Sequence, residues 1–130
     1  MKKQILIVED EIFILDTLAL ILGSEGYQTY KASNVKEAIG HLKEASIDMV
    51  FSDLRLPDES GLKILQSMKA DAALPKVPFV LITAFYEDLE HEAVENAAVD
   101  EVIVKPFSSA QIKATAFKWL NASSYIHNAP

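Results

Sequence analysis

The chain has no cysteine. That excludes disulfides, thiolate metal sites and cysteine nucleophiles, and it is compatible with a cytoplasmic protein. It has no run of lysine or arginine, and 12 basic against 19 acidic residues give a formal net charge of −7. Phosphate contacts need clustered cations, so direct binding of nucleic acid is not expected. Long apolar runs are missing too. Met1-Lys2-Lys3-Gln4 leads into only four apolar residues before Glu9, too few for a signal peptide or a membrane span. Internal repeats and low-complexity tracts are also absent. What is present is ordinary globular composition, 50% hydrophobic and 24% charged over 130 residues, enough for one domain around one core.

Short apolar runs recur along the chain, and nearly all of them end in a chemically useful side chain. Ile5 to Val8 stops at Glu9-Asp10-Glu11, Ile47 to Ser52 at Asp53, Phe79 to Ile82 at Thr83, and Glu101 to Val104 at Lys105-Pro106-Phe107. Such runs, bounded by turn residues, read as strands buried on both faces. Tyr27 to Ala32, with polar alternation, reads as an edge strand with no comparable group at its end.

Helical spacing fills the intervals. Ile12 to Leu22 carries Ile14, Leu15, Leu18, Ile21 and Leu22 and is punctuated by Gly23 and Gly26. Ser33-Asn34 offers a cap for a helix from Val35 to Ala45. Gly61 to Ala73 carries Leu62, Ile64, Leu65 and Met68. Glu87 to Ala97 is more polar, and Ser108 or Ser109 caps a helix running to Leu120. Strand and helix alternate five times, which predicts right-handed crossovers and an α/β fold of three layers, a parallel sheet of five strands with five helices on its two faces. The domain is placed at 1–122 and a frayed tail at 123–130.

In a parallel sheet all strands end at one edge, so Glu9, Asp10, Asp53, Thr83 and Lys105 are expected in one crevice. Each has a plainer reading alone. Asp53 equally starts a loop, Glu9-Asp10 suits the positive end of a helix, and Thr83 and Lys105 suit a strand end and a surface. Their common position at successive strand ends favours a shared site. Carboxylates so close repel, and a hard divalent cation such as Mg²⁺ neutralises them with oxygen ligands. A cation, an ammonium and a hydroxyl around one remaining carboxylate suit an incoming phosphoryl group.

These residues resemble the receiver domain of two-component response regulators. The resemblance rests on Ile-Leu-Ile-Val-Glu-Asp-Glu at 5–11, Ser-Asp-Leu-Arg-Leu-Pro-Asp-Glu-Ser-Gly-Leu at 52–62, Leu-Ile-Thr-Ala at 81–84 and Val-Lys-Pro-Phe at 104–107. It implies a flavodoxin-like doubly wound sheet of order 2-1-3-4-5. It implies Asp53 as phosphoacceptor from a histidine kinase or histidine phosphotransfer protein, Thr83 as switch hydroxyl and Lys105 as the phosphoryl-binding lysine, joined to Pro106 by a cis bond. It also implies Mg²⁺ (or Mn²⁺) on Asp10, Asp53 and the Arg55 main-chain carbonyl, with Glu9 acting through water. The only catalysis expected is the domain's own phosphorylation and dephosphorylation. Arg55 and Phe85 are expected to flank the path of hydrolytic water.

Two positions depart from the family's pattern. Val102 stands where an aromatic residue usually couples to the switch hydroxyl. Ala98 stands where glycine is common before the last strand, and an alanine takes a left-handed cap only at a cost, so the preceding helix is expected to end differently. Val102 keeps open the alternative of a pseudo-receiver, an interaction module that is never phosphorylated. A dehalogenase-type phosphatase would need an acid where Arg55 stands, and an FMN-binding flavodoxin would need a phosphate loop where Glu9-Asp10-Glu11 stands. No output module is expected within the residues after 120. The signal is expected to pass by protein contact to a downstream target or to an output domain outside this chain, from a monomer or a phosphorylation-promoted dimer.

Overall fold

The computed structural model describes residues 2–84 and 97–122. Five strands form one parallel sheet: β1 (Gln4–Val8), β2 (Gln28–Ala32), β3 (Met49–Asp53), β4 (Phe79–Thr83) and β5 (Glu101–Val104). Their order is β2-β1-β3-β4-β5. Four helices are described: α1 (Ile12–Ser24), α2 (Val35–Glu44), α3 (Leu62–Ala70) and α4 (Ser109–Leu120). The expected helix at 87–97 falls outside the described residues except for its end, as do Phe85 and the tail at 123–130.

Alternation along each strand builds the layers, because successive side chains point to opposite faces. Leu6, Val8, Val50, Phe79 and Leu81 pack against Val35, Ala38 and Leu42 of α2 and against Ile64, Leu65 and Met68 of α3. Their neighbours Ile5, Ile7, Met49, Phe51, Val80 and Ile82 pack against Leu15, Leu18 and Leu22 of α1 and against Ile112 and Ala116 of α4. Both sheet faces are therefore apolar and covered. Phe51 and Phe79 are fully buried, one on each face, and each contributes about 2–3 kcal/mol relative to exposure.

Element ends show where local chemistry shortens or extends the sequence pattern. Gly26, at φ 90°, turns the chain out of α1, with its N–H on the Gly23 carbonyl. Ile47 and Asp48 precede β3, since the Asp48 carboxylate accepts from Gln4 N at 2.7 Å, and Asp53 becomes the strand's last residue. The third helix stops at Ala70, short of Ala73, because Asp71 folds into a turn. Its side chain accepts from Ala73 N at 2.9 Å and its carbonyl from Leu74 N at 3.0 Å. Asn34 caps α2 by accepting from Glu37 N, and Ser108 caps α4 by accepting from Gln111 N.

The expectation about Ala98 is corrected. It takes the left-handed conformation, at φ 57°. The segment is held from both sides: the Lys69 ammonium donates to the Ala97 carbonyl, and Asp100 exchanges bonds with Phe79, carboxylate to N–H at 2.7 Å and N–H to carbonyl at 2.9 Å. These contacts outweigh the steric cost at the alanine, about 1–2 kcal/mol.

Candidate functional site

Parallel registry brings the strand ends to one edge. Val8 pairs with Ser52, Asp53 with Ile82, and Thr83 with Val104. Glu9 follows β1, Asp53 ends β3, Thr83 ends β4 and Lys105 follows β5. The Lys105 ammonium lies 2.7 Å from Glu9 Oε1 and 2.9 Å from Asp53 Oδ2. Asp10 completes a cluster in which Glu9, Asp10 and Asp53 present oxygens within 4.8 Å of one another. Glu9 and Asp53 are buried, and Asp10 is exposed at the mouth. Thr83 is buried at the same edge, and its carbonyl accepts from Lys105 N at 2.7 Å. The Lys105–Pro106 bond is cis.

The electrostatics are those of an excess of anions in a partly dry site. Burial pushes the Glu9 carboxyl above its ordinary range; the hydrogen bond from Lys105 opposes this and the neighbouring Asp53 adds to it. Burial alone would push Lys105 down, yet its bonds to Glu9 and Asp53 hold the ammonium above its ordinary range. The two rises differ in source: burial dominates at Glu9, whereas at Lys105 the bonds to the two carboxylates together outweigh burial. Three carboxylates against one ammonium leave a formal charge of −2. The donors are all oxygens and the deficit matches a divalent cation, so the residues fit Mg²⁺ or Mn²⁺.

The main chain around Asp53 is equally constrained. Arg55 N donates to Asp53 Oδ1 at 3.2 Å, and Ser52 Oγ donates to the Asp53 carbonyl at 2.9 Å. A Cβ on Gly61 would lie 2.0 Å from the Asp53 carbonyl oxygen and 2.8 Å from Ser52 Oγ. Glycine is therefore required for closeness of approach at this site. In the sequence Gly61 reads only as the point where a loop passes into the third helix, because nothing local shows that the loop returns onto the strand it left. Ser52, within an apolar strand, was the available signal.

Comparison with known proteins identifies the class. The sequence model of the response regulator receiver domain matches residues 5–117. The chain belongs to that family and is a receiver domain of a two-component response regulator. It is 32% identical over 114 residues to the phosphate regulon transcriptional regulatory protein PhoB of Klebsiella pneumoniae, covering 88% of this chain and 50% of PhoB. It is 28% identical over 120 residues to the polar-differentiation response regulator DivK of Brucella anthropi, covering 92% and 98% of the two chains. The chain thus spans half the length of PhoB and nearly all of DivK. A CheY-like receiver domain from Methylobacillus flagellatus superposes with a TM-score of 0.80 at 30% identity, over 91% of this chain and 98% of that one. Among the described residues no helix is long and apolar enough to cross a membrane.

Proposed function

We propose that this chain is the phosphoacceptor of a two-component or phosphorelay system, and that Asp53 takes the phosphoryl group from a histidine of a kinase or phosphotransfer protein. The observation that carries the reading is the Lys105 ammonium held between Glu9 and Asp53 at 2.7 and 2.9 Å. An Asp53 carboxylate oxygen forms the new P–O bond as the P–N bond breaks, and the electron pair of that bond stays on the imidazole nitrogen. Lys105 faces the charge on the phosphoryl oxygens as a compact cation. Thr83, at the end of the neighbouring strand, supplies the switch hydroxyl. Asp10, Asp53 and the Arg55 main-chain carbonyl would hold Mg²⁺ or Mn²⁺, with Glu9 acting through water, and the bound cation would offset charge on the transferring group.

The acting unit is residues 1–122, in the cytoplasm. Beside Lys105 a shallow apolar groove of about 430 Å³ is lined by Phe13, Ile14, Pro106 and Phe107, and Phe13 is 82% exposed, which suits an apolar partner surface next to the acceptor. The signal leaves by protein contact, to a separate target or to an output domain outside these residues.

Acetyl phosphate with Mg²⁺ is expected to add one phosphoryl group, read by intact-protein mass, and Asp53→Asn is expected to abolish it. Equal labelling of the variant would refute the assignment. Wild-type protein that takes no phosphoryl group from acetyl phosphate or from a phosphohistidine donor would establish the pseudo-receiver alternative.

A further inference from the structure

Asp58 lies in the loop between β3 and α3, yet its carboxylate serves a different helix. Oδ1 accepts from Val35 N at 3.0 Å and Oδ2 from Lys36 N at 3.2 Å. These are the first two residues of α2, whose own cap, Asn34, satisfies only Glu37 N. The tip of one loop thus closes the open end of a neighbouring helix.

The base of the same loop is fixed on the acceptor. Gly61 N donates to the Leu54 carbonyl at 2.8 Å, Arg55 and Ser60 pair as an antiparallel bridge, and Arg55 N reaches Asp53 Oδ1. The start of α2 is tied to the other acidic loop in turn, because the carbonyl of Ala32, just before Ser33 and Asn34, accepts from Glu9 N at 3.0 Å. A continuous path runs from Glu9 through Ala32 and the first turn of α2 to Asp58, Arg55 and Asp53. Both halves of the acidic pocket are braced against one helix end.

We propose that Asp58 is a positioning residue for the pocket: by anchoring the loop tip to the first turn of α2, it sets how the Arg55 main chain faces Asp53 and so how tightly the pocket holds a divalent cation. The proposal rests on reading the pocket as a cation site. Asp58 touches neither the cation nor the phosphoryl group, and its influence passes only through the loop. Asparagine at this position keeps one accepting oxygen and is expected to retain part of the effect.

The test is a calorimetric titration of Mg²⁺ alone into the 130-residue chain, with thermal unfolding of the same samples in the absence of metal. Asp58→Ala is expected to weaken Mg²⁺ binding about threefold to tenfold, at or below the lower end of losses from outer-shell changes, and Asp58→Asn to fall between it and wild type. Asn34→Ala removes a cap from the same helix but leaves the Asp58 anchor in place, so it is expected to lower Tm and to weaken Mg²⁺ binding less than Asp58→Ala does. Wild-type affinity in Asp58→Ala, or an equal loss in Asn34→Ala, would overturn the proposal. A wild-type chain that binds no Mg²⁺ overturns the pocket reading itself, which separates the two failures.

Discussion

Two inner strands, β3 and β4, and one outer strand, β5, obey different rules. Every residue of β3 and β4 is buried, whereas in β5 only Ile103 is. Around Asp53 the surroundings are fixed at several points at once, by Arg55, Ser52, Gly61 and Lys105. The approach to β5 instead carries a left-handed alanine, and Val102 on the strand is only half-buried. The outer strand is held by side chains that reach across from α4. Glu101 accepts from Trp119 Nε1 at 2.7 Å, from Lys118 at 3.1 Å and from Thr115 at 3.4 Å. Where two sheet faces and two neighbouring strands constrain a residue, its identity is narrowly set. Where one neighbour is missing, a polar clasp from the adjacent helix adds to the hold on the strand.

The sharpest attack on this contrast is Gly61→Ala. The added methyl must displace the Asp53 backbone, and a loss of about 3 kcal/mol is expected in urea unfolding. A loss as small as that of changes near β5 would break the comparison. Next comes the clasp. Burial raises the Glu101 carboxyl, but the bonds from Trp119, Lys118 and Thr115 together hold it below the ordinary carboxylate range. The unfolded chain therefore binds the proton more tightly here. The contribution is full above the ordinary glutamate pKa and disappears as pH falls through the depressed folded value. Glu101→Gln is expected to cost about 1 kcal/mol at neutral pH and to flatten that part of the acid limb, seen by unfolding across the acid range. The smallest effect has the opposite sign. Ala98→Gly relieves the left-handed strain while loosening the unfolded chain, and a net gain of about 0.5–1 kcal/mol in the same unfolding assay is expected.

Most of the architecture was legible because buried parallel strands write themselves as short apolar runs. The alternation of Ile5, Leu6, Ile7 and Val8 between two faces needs no more than a period of two. The meeting of Glu9, Asp53 and Lys105 was legible for the same reason: once the strands are parallel, their ends must converge. Three features were not. The early stop of α3 depends on Asp71 choosing a turn, a contest that periodicity does not register. Ala98 follows tertiary contacts against its own preference. Asp58 and Gly61 act through space on a helix and a strand to which their position in the chain gives no pointer.

The ammonium that pairs with both buried carboxylates of the pocket arrives 96 residues after Glu9 and 52 after Asp53. During synthesis the Asp53 carboxylate therefore emerges long before the cation it pairs with, and any product cut short before Lys105 carries an incomplete pocket. The order of the residues along the chain makes completion of the site coincide with docking of the last strand. A half-made receiver thus lacks the means to pass for a finished one.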